Sequence, residues 1–129
     1  MCPVQVVGLG MAALDLIIRT TELPTWAGGV RLRAAAIEGG GPVATALVAV
    51  SRLGVRAGFV GTYGSDRLGQ IKLQTLVENG LDVSRAVQRD APESQAVLVC
   101  VHAETGERVF AGFEQSRYSP LAVDELDRA

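Results

Sequence analysis

Three glycine-bearing segments carry residue types and spacings that could support chemistry. In Gly8-Leu9-Gly10-Met11-Ala12-Ala13 the glycines formally fit a G-x-G-x-x-G/A pattern, which lets a dinucleotide pyrophosphate approach backbone amides. That chemistry needs a helix directly behind the glycines and an acidic residue about 20 positions on. Leu14 to Ile18 reads instead as extended, and Glu22 and Glu38 sit at poor spacings. A dinucleotide-binding fragment is therefore the weaker reading, and glycines permitting a tight strand exit the stronger. In Glu38-Gly39-Gly40-Gly41-Pro42-Val43-Ala44-Thr45, consecutive glycines stand immediately before a helical run. A ligand can approach such a backbone closely and meet unpaired amides at the helix start, with the Thr45 hydroxyl one turn further on. A hydroxyl-rich or anionic ligand suits that arrangement, and a plain structural turn accounts for the glycines equally well. No G-x-x-x-x-G-K-[ST] phosphate loop stands anywhere in the chain. The third segment, Gly58 to Gly69, reads as strand, loop and capped helix, and the helix start alone accounts for Ser65 and Asp66.

Single residues give less. His102 falls at a strand end and reads as a surface histidine, and Cys100 as a small core residue. Trp26, in the loop after Pro24, can cover a ligand or simply pack. Arg31 and Arg33 read as a solvated face, and Asp124, Glu125 and Asp127 as helix-surface charges.

The elements that must position these residues follow from pattern. Val4 to Leu9 reads as a strand buried on both faces, and Leu14 to Arg19 resumes extended structure until Glu22-Leu23-Pro24 ends it. Val30 to Ala34 alternates apolar and basic residues, the period of a half-exposed strand. Val43 to Leu53 predicts a buried helix, with Pro42 in its first turn and Gly54 past its end. Arg56 to Gly61 predicts an inner strand. A second helix runs from a Ser65 or Asp66 cap to about Asn79, with Leu68, Ile71, Leu76 and Val77 on its apolar face and Gly80 as its stop. Val83 to Val87 reads as a short strand. Gln95 to His102 and Arg108 to Phe113 flank Glu104-Thr105-Gly106-Glu107 as a hairpin. Ser119-Pro120 opens a last helix over Leu121 to Arg128. Helices between inner strands imply parallel crossovers, while the hairpin and the segment around 14–38 look like a separate antiparallel flap.

Composition agrees with an aliphatic α/β protein. The 129 residues are 48% hydrophobic, 20% charged and only 5% aromatic, with 15 glycines. One ordinary domain fits that length, and wholesale disorder does not fit that composition. A net charge of −2 from 12 basic and 14 acidic residues lacks the basic footprint of a nucleic-acid binder. The two cysteines, Cys2 and Cys100, form neither a disulfide framework nor a metal motif, so a reducing, cytoplasmic setting is the default. The apolar runs are far shorter than a membrane span, and Met1-Cys2-Pro3 is no signal-peptide start.

The order of these features is more specific than any one of them. A glycine pair with Thr45 five residues after Gly40, then Arg52-Leu53-Gly54, Gly61, Gly64-x-Asp66 and Gly69, resembles the first signature of the ribokinase-like (PfkB) carbohydrate kinases. Val7-Gly8-Leu9-Gly10 followed by Asp15 is similar to that family's opening strand and sugar-contacting aspartate. Leu81-Asp82-Val83 resembles the segment before its lid, and Ser94 to Val101 with Glu104-Thr105-Gly106-Glu107-Arg108 resembles the lid hairpin. The resemblance covers essentially the whole chain.

It implies a parallel-sheet α/β core over about 1–13, 39–90 and 114–129, with a small antiparallel β-lid over about 14–38 and 94–113. It implies transfer of the γ-phosphoryl group of ATP, with Mg2+, to a hydroxymethyl oxygen of a sugar, polyol or nucleoside. Asp15 would bind sugar hydroxyls through charge-assisted hydrogen bonds, and Gly40 and Gly41 would let the backbone touch the sugar. Thr45 stands where the family usually has asparagine, so a hydroxyl replaces an amide. Met11 stands where several members have a polar sugar ligand. The family's catalytic aspartate follows Gly-Ala-Gly, and no such sequence occurs here. The chain thus reads as the sugar-side part of a kinase: a trimmed or proteolysed product, a split or frameshifted gene product, or a small domain with its own role. No catalytic, nucleotide-binding or metal residue is expected within it, and it alone is expected to be inactive, binding neither ATP nor Mg2+ tightly. A non-catalytic sugar-binding or oligomerisation module is the competing reading. Homodimerisation through the β-lid or an exposed sheet edge is the expected partnership, with no nucleic acid and no membrane.

Overall fold

A computed structural model describes residues 3–114 and 121–129. The β-branched run near the N-terminus forms β1 (Val6–Leu9), which pairs in parallel with β4 (Ala57–Val60), Val6 opposite Ala57 and Leu9 opposite Val60. Between them in sequence lies α1 (Pro42–Arg52), started by a proline that needs no amide partner in the first turn. The helix packs on one face of this strand pair. Ala12, Ala44, Leu47, Ala57, Phe59, Leu76 and Leu81 form the buried apolar cluster there. Burying a side chain such as Leu47 or Phe59 stabilises the fold by about 1.5–3 kcal/mol each.

A second, four-stranded sheet has the order β3-β2-β7-β8. β2 (Ala13–Thr20) and β3 (Ala34–Gly40) are antiparallel, as are β7 (Ala96–His102) and β8 (Arg108–Gly112), while the central pair β2–β7 is parallel. Gly106 sits at the β7–β8 turn, where the sequence places the hairpin. Two short parallel strands, β5 (Thr62–Tyr63) and β6 (Val87–Gln88), flank α2 (Arg67–Glu78) in sequence. Asp66 caps α2 by accepting the Gly69 amide hydrogen at 3.0 Å, as its side-chain type predicts. The last helix, α3 (Val123–Arg128), occupies part of the predicted C-terminal helix, whose Ser119-Pro120 start lies outside the described residues. No described helix is long and apolar enough to cross a membrane.

Several expectations are corrected. β1 is not buried on both faces: Val7 is 62% exposed and Leu9 54%, because α1 covers only the face that Gly8 presents. α1 itself buries only Ala44 and Leu47, since its small residues on the other side meet solvent. The alternating stretch at 30–33 forms no strand. Its neighbours Ala34–Gly40 do, because the ladder along β2 runs from Arg19 opposite Ala34 to Ala13 opposite Gly40. Gly39-Gly40 is thus a strand end and not a free loop. The expected strand at 83–87 shrinks to β6, with Asp82 making a single parallel bridge to Gly58. A strand follows Gly8-Leu9-Gly10, so the helix start that dinucleotide binding requires is missing there.

Candidate functional site

The candidate site forms where β2 begins, β3 ends and α1 starts. Along β2 side chains alternate between faces. Leu14 lies opposite Gly39 and is fully buried, on the face where a Cβ at position 39 would meet Thr75 of α2 at 2.9 Å. Asp15 takes the other face, opposite Glu38, and is half-buried. A Cβ at position 40 would lie 2.9 Å from Asp15 Oδ2, so the carboxylate rests directly against the Gly40 backbone. Partial burial without a compensating cation pushes the Asp15 carboxyl above its ordinary range.

Gly41 closes the corner. As N-cap of α1 it has φ 91° and ψ 145°, a conformation that side chains disfavour. A Cβ there would also stand 2.7 Å from the Ala13 nitrogen, 2.9 Å from Ala12 Cα and 2.9 Å from the Met11 carbonyl oxygen. All three are backbone atoms, which cannot turn aside. The same Met11 carbonyl accepts the Ala44 amide hydrogen at 3.4 Å and so ties the β1–β2 connection to the first turn of α1.

Asp15, Gly40, Gly41 and the Met11 backbone are therefore brought together at this corner. Thr45 is placed differently. Its amide donates to the Gly41 carbonyl at 2.9 Å, and the residue lines a cavity of about 150 Å³ with Glu38, Gly39, Thr75 and Asn79. That lining includes neither Asp15 nor Met11. Glu38, directly across the ladder from Asp15, has no site role in the sequence reading. Pairing of the Asp15 and Gly40 segments was the signal that would have shown it. The Asp15 face can accept hydrogen bonds from adjacent hydroxyls, next to a backbone that no side chain screens.

Two residues read as unremarkable surface groups are built into the structure. Glu125 is buried, and Arg89 grips it with Nε–Oε1 at 2.6 Å and Nη2–Oε2 at 2.8 Å. Hydrogen bonding to that guanidinium pulls the Glu125 carboxyl down to about 2. His102 Nδ1 accepts amide hydrogens from Glu104 and Thr105 at 3.3 and 3.2 Å and so shapes the β7–β8 turn. Among the described residues no group of three or more His, Cys, Asp or Glu is arranged to hold a metal ion.

Comparison with known proteins gives the family and the fold. Residues 4–122 match the family described as pfkB family carbohydrate kinase. The aminoimidazole riboside kinase of Salmonella typhimurium is 39% identical over 71 residues, which cover 55% of this chain and 22% of that protein. The fructokinase of Xylella fastidiosa superposes with a TM-score of 0.64 at 29% identity, over 84% of this chain and 32% of that one. The Arabidopsis thaliana ribokinase complexed with ribose and ATP superposes with a TM-score of 0.67 at 20% identity, over 86% of this chain and 35% of that one, and shares the fold. The chain thus spans a minor part of the length of each relative. A parallel strand pair under α1, a flanking small sheet and a match along nearly the whole sequence lead to one assignment: the chain belongs to the pfkB family of carbohydrate kinases and has the ribokinase-like α/β fold.

Proposed function

We propose that this chain supplies the sugar-contacting side of an ATP-dependent kinase acting on a sugar or a related polyol or nucleoside hydroxyl. The observation that carries the reading is the Asp15 carboxylate lying against Gly40 at the start of α1. An ionised carboxylate accepts from two vicinal hydroxyls at once, and each such bond is worth roughly 1.5–3 kcal/mol. Gly40 and Gly41 keep the approach to it free of side chains and Met11 borders it, while Thr45 lines the separate cavity with Glu38 and Thr75. ATP and Mg2+ belong to the parent enzyme. The absence of Gly-Ala-Gly-Asp from the sequence supports that division of labour.

The residues in hand do the binding part of the work. Asp15 orients the sugar, the half-buried surroundings exclude part of its water, and the raised pKa of the carboxyl makes binding depend on pH. The flanking sheet acts as a lid. Phe110 is 65% exposed on one face of this sheet, and Val109 and Ile37 are exposed on the other, so apolar surface on both faces of the sheet supports pairing of two copies through it. A cytoplasmic setting accords with such a substrate. Isothermal titration of the 129-residue chain with D-fructose and D-ribose tests the reading. Binding at about 1 mM or tighter, lost in Asp15→Ala, is the expected result. No binding of either sugar at that level overturns the sugar site. ATP-dependent phosphorylation by the purified chain alone overturns the assignment of catalysis to other residues.

A further inference from the structure

Lys72 is fully buried in the middle of α2, on the same stripe as Gly69 and Leu76. A buried ammonium is tolerated only with partners, and here they are explicit. Its Nζ donates to Glu93 Oε1 at 3.0 Å and to Gln95 Oε1 at 2.8 Å. Glu93 is itself buried, and its Oε1 also accepts the Gln95 amide hydrogen at 2.8 Å. Its Oε2 accepts the Gly64 amide hydrogen at 2.8 Å. The Glu93 amide donates at 3.1 Å to Asp66 Oδ1, the oxygen that also caps α2.

These groups lie on two sides of a junction. Gly64, Asp66 and Lys72 belong to α2 and the loop leading into it, whereas Glu93 and Gln95 immediately precede β7. The Gln95 carbonyl accepts the Leu14 amide hydrogen at 2.9 Å, and Leu14 adjoins Asp15. A continuous hydrogen-bonded path therefore runs from the α2 ammonium through Gln95 to the strand that carries Asp15. An apolar contact would tolerate sliding at this junction. A slip of one residue turns every side chain to the opposite face, and it would take Gln95 away from a buried charge.

We propose that Lys72, Glu93 and Gln95 are positioning residues for Asp15: they fix the base of β7 on α2 and so set the register at which β2 presents the Asp15 carboxylate against Gly40. The inference rests on the reading of Asp15 as the sugar-binding carboxylate. A purely structural role for the pair would affect stability and leave Asp15 alone.

The test uses Gln95→Met in the full 129-residue chain, which removes the link to the strand and keeps the Lys72–Glu93 pair. Carboxyl 13C NMR follows the Asp15 titration, and amide hydrogen exchange follows Leu14. The Asp15 midpoint is expected to fall toward the ordinary aspartate value by about half a pH unit or more, while Asp82 and Glu125 stay put. Leu14 protection is expected to drop by about tenfold, with Phe59 unchanged. An unmoved Asp15 midpoint with unchanged Leu14 protection overturns the proposal, whatever happens to the melting temperature. The unsubstituted chain gives a second measurement should the variant not fold. Leu14, Gly64 and Gln95 amides must then open with one common free energy, and independent exchange of Leu14 overturns the proposal equally. None of these readouts needs sugar, so failure of sugar binding and failure of positioning are read separately.

Discussion

Gly41→Ala places a methyl group where the structure has no room for one. The residue's φ of 91° with ψ of 145° costs a side-chain-bearing residue about 1–3 kcal/mol. The new Cβ would approach the Ala13 nitrogen to 2.7 Å and two further backbone atoms of Met11 and Ala12 to 2.9 Å. Relief of such overpacking adds about 1–3 kcal/mol, so the substitution is expected to cost about 2–6 kcal/mol. At roughly 2.1 cal/mol/K of unfolding entropy per residue, that lowers the melting temperature by about 7–22 °C. Gly54→Ala is the matched control. Gly54 has φ 86°, yet nothing lies within 4 Å of its Cβ position. It should lose only the conformational part, about 1–2 kcal/mol or about 4–7 °C. Thermal unfolding followed by circular dichroism, with urea titration as a check on cooperativity, measures both. The reasoning fails if the two variants are equally destabilised, because the close approach of Met11–Ala13 would then contribute nothing. It also fails if Gly41→Ala melts with the parent.

Asp15→Asn should stabilise the chain and weaken its binding. With its pKa raised by burial, the native carboxyl holds its proton more readily than the unfolded one. Stability therefore falls as pH rises from the ordinary value of 3.8 through the native pKa, and the asparagine variant should melt higher than the parent above that window and level with it below. Its affinity for a bound sugar, read by calorimetry, should drop about tenfold to hundredfold. Glu125→Gln should show the opposite pH behaviour. The native pKa of about 2 lies below the ordinary 4.5, so the contribution of the Arg89 pair is present above 4.5 and lost as pH falls toward 2. The melting-temperature gap between parent and variant should close over that interval.

Helix boundaries were legible because they depend on local stereochemistry. Pro42, Gly54, Asp66 and Gly80 each mark an end that needs no knowledge of the rest of the chain. The β7–β8 hairpin was legible for the same reason. Pairing partners were not. The alternation at 30–33 imitates a strand, yet the ladder uses the alanine run of Ala34–Ile37, because register is set by Leu14 and Asp15 on another strand. Lys72 is missing from the apolar face that the sequence suggests for α2, because an apolar pattern does not register a charge, although its spacing of three and four residues from Gly69 and Leu76 puts it on the inner stripe. For the site, the order of glycines and Asp15 pointed to the corner. The direction in which Thr45 faces and the placement of Glu38 opposite Asp15 required the fold.

The corner holds two local costs: a carboxylate stripped of part of its water, and a glycine in a conformation few residues share. Such features persist where the surroundings leave the chain no alternative. On β2 the constraint is simple periodicity. Leu14 is fully buried against the α2 side, which stabilises that register by about 1.5–3 kcal/mol. Moving the strand by one residue to rehydrate Asp15 would carry Leu14 out to the exposed face. Moving it by two would keep the faces but take Ala13 from Gly40, and with it the seat of Gly41 against Met11 and Ala12. Anchor and ligand-facing group are adjacent residues on opposite faces of one strand, so neither can relax without displacing the other. A substitution that shortens the anchor, such as Leu14→Ala, should therefore act on Asp15 as well as on stability. Its carboxyl midpoint is the quantity that distinguishes this coupling from a simple loss of core.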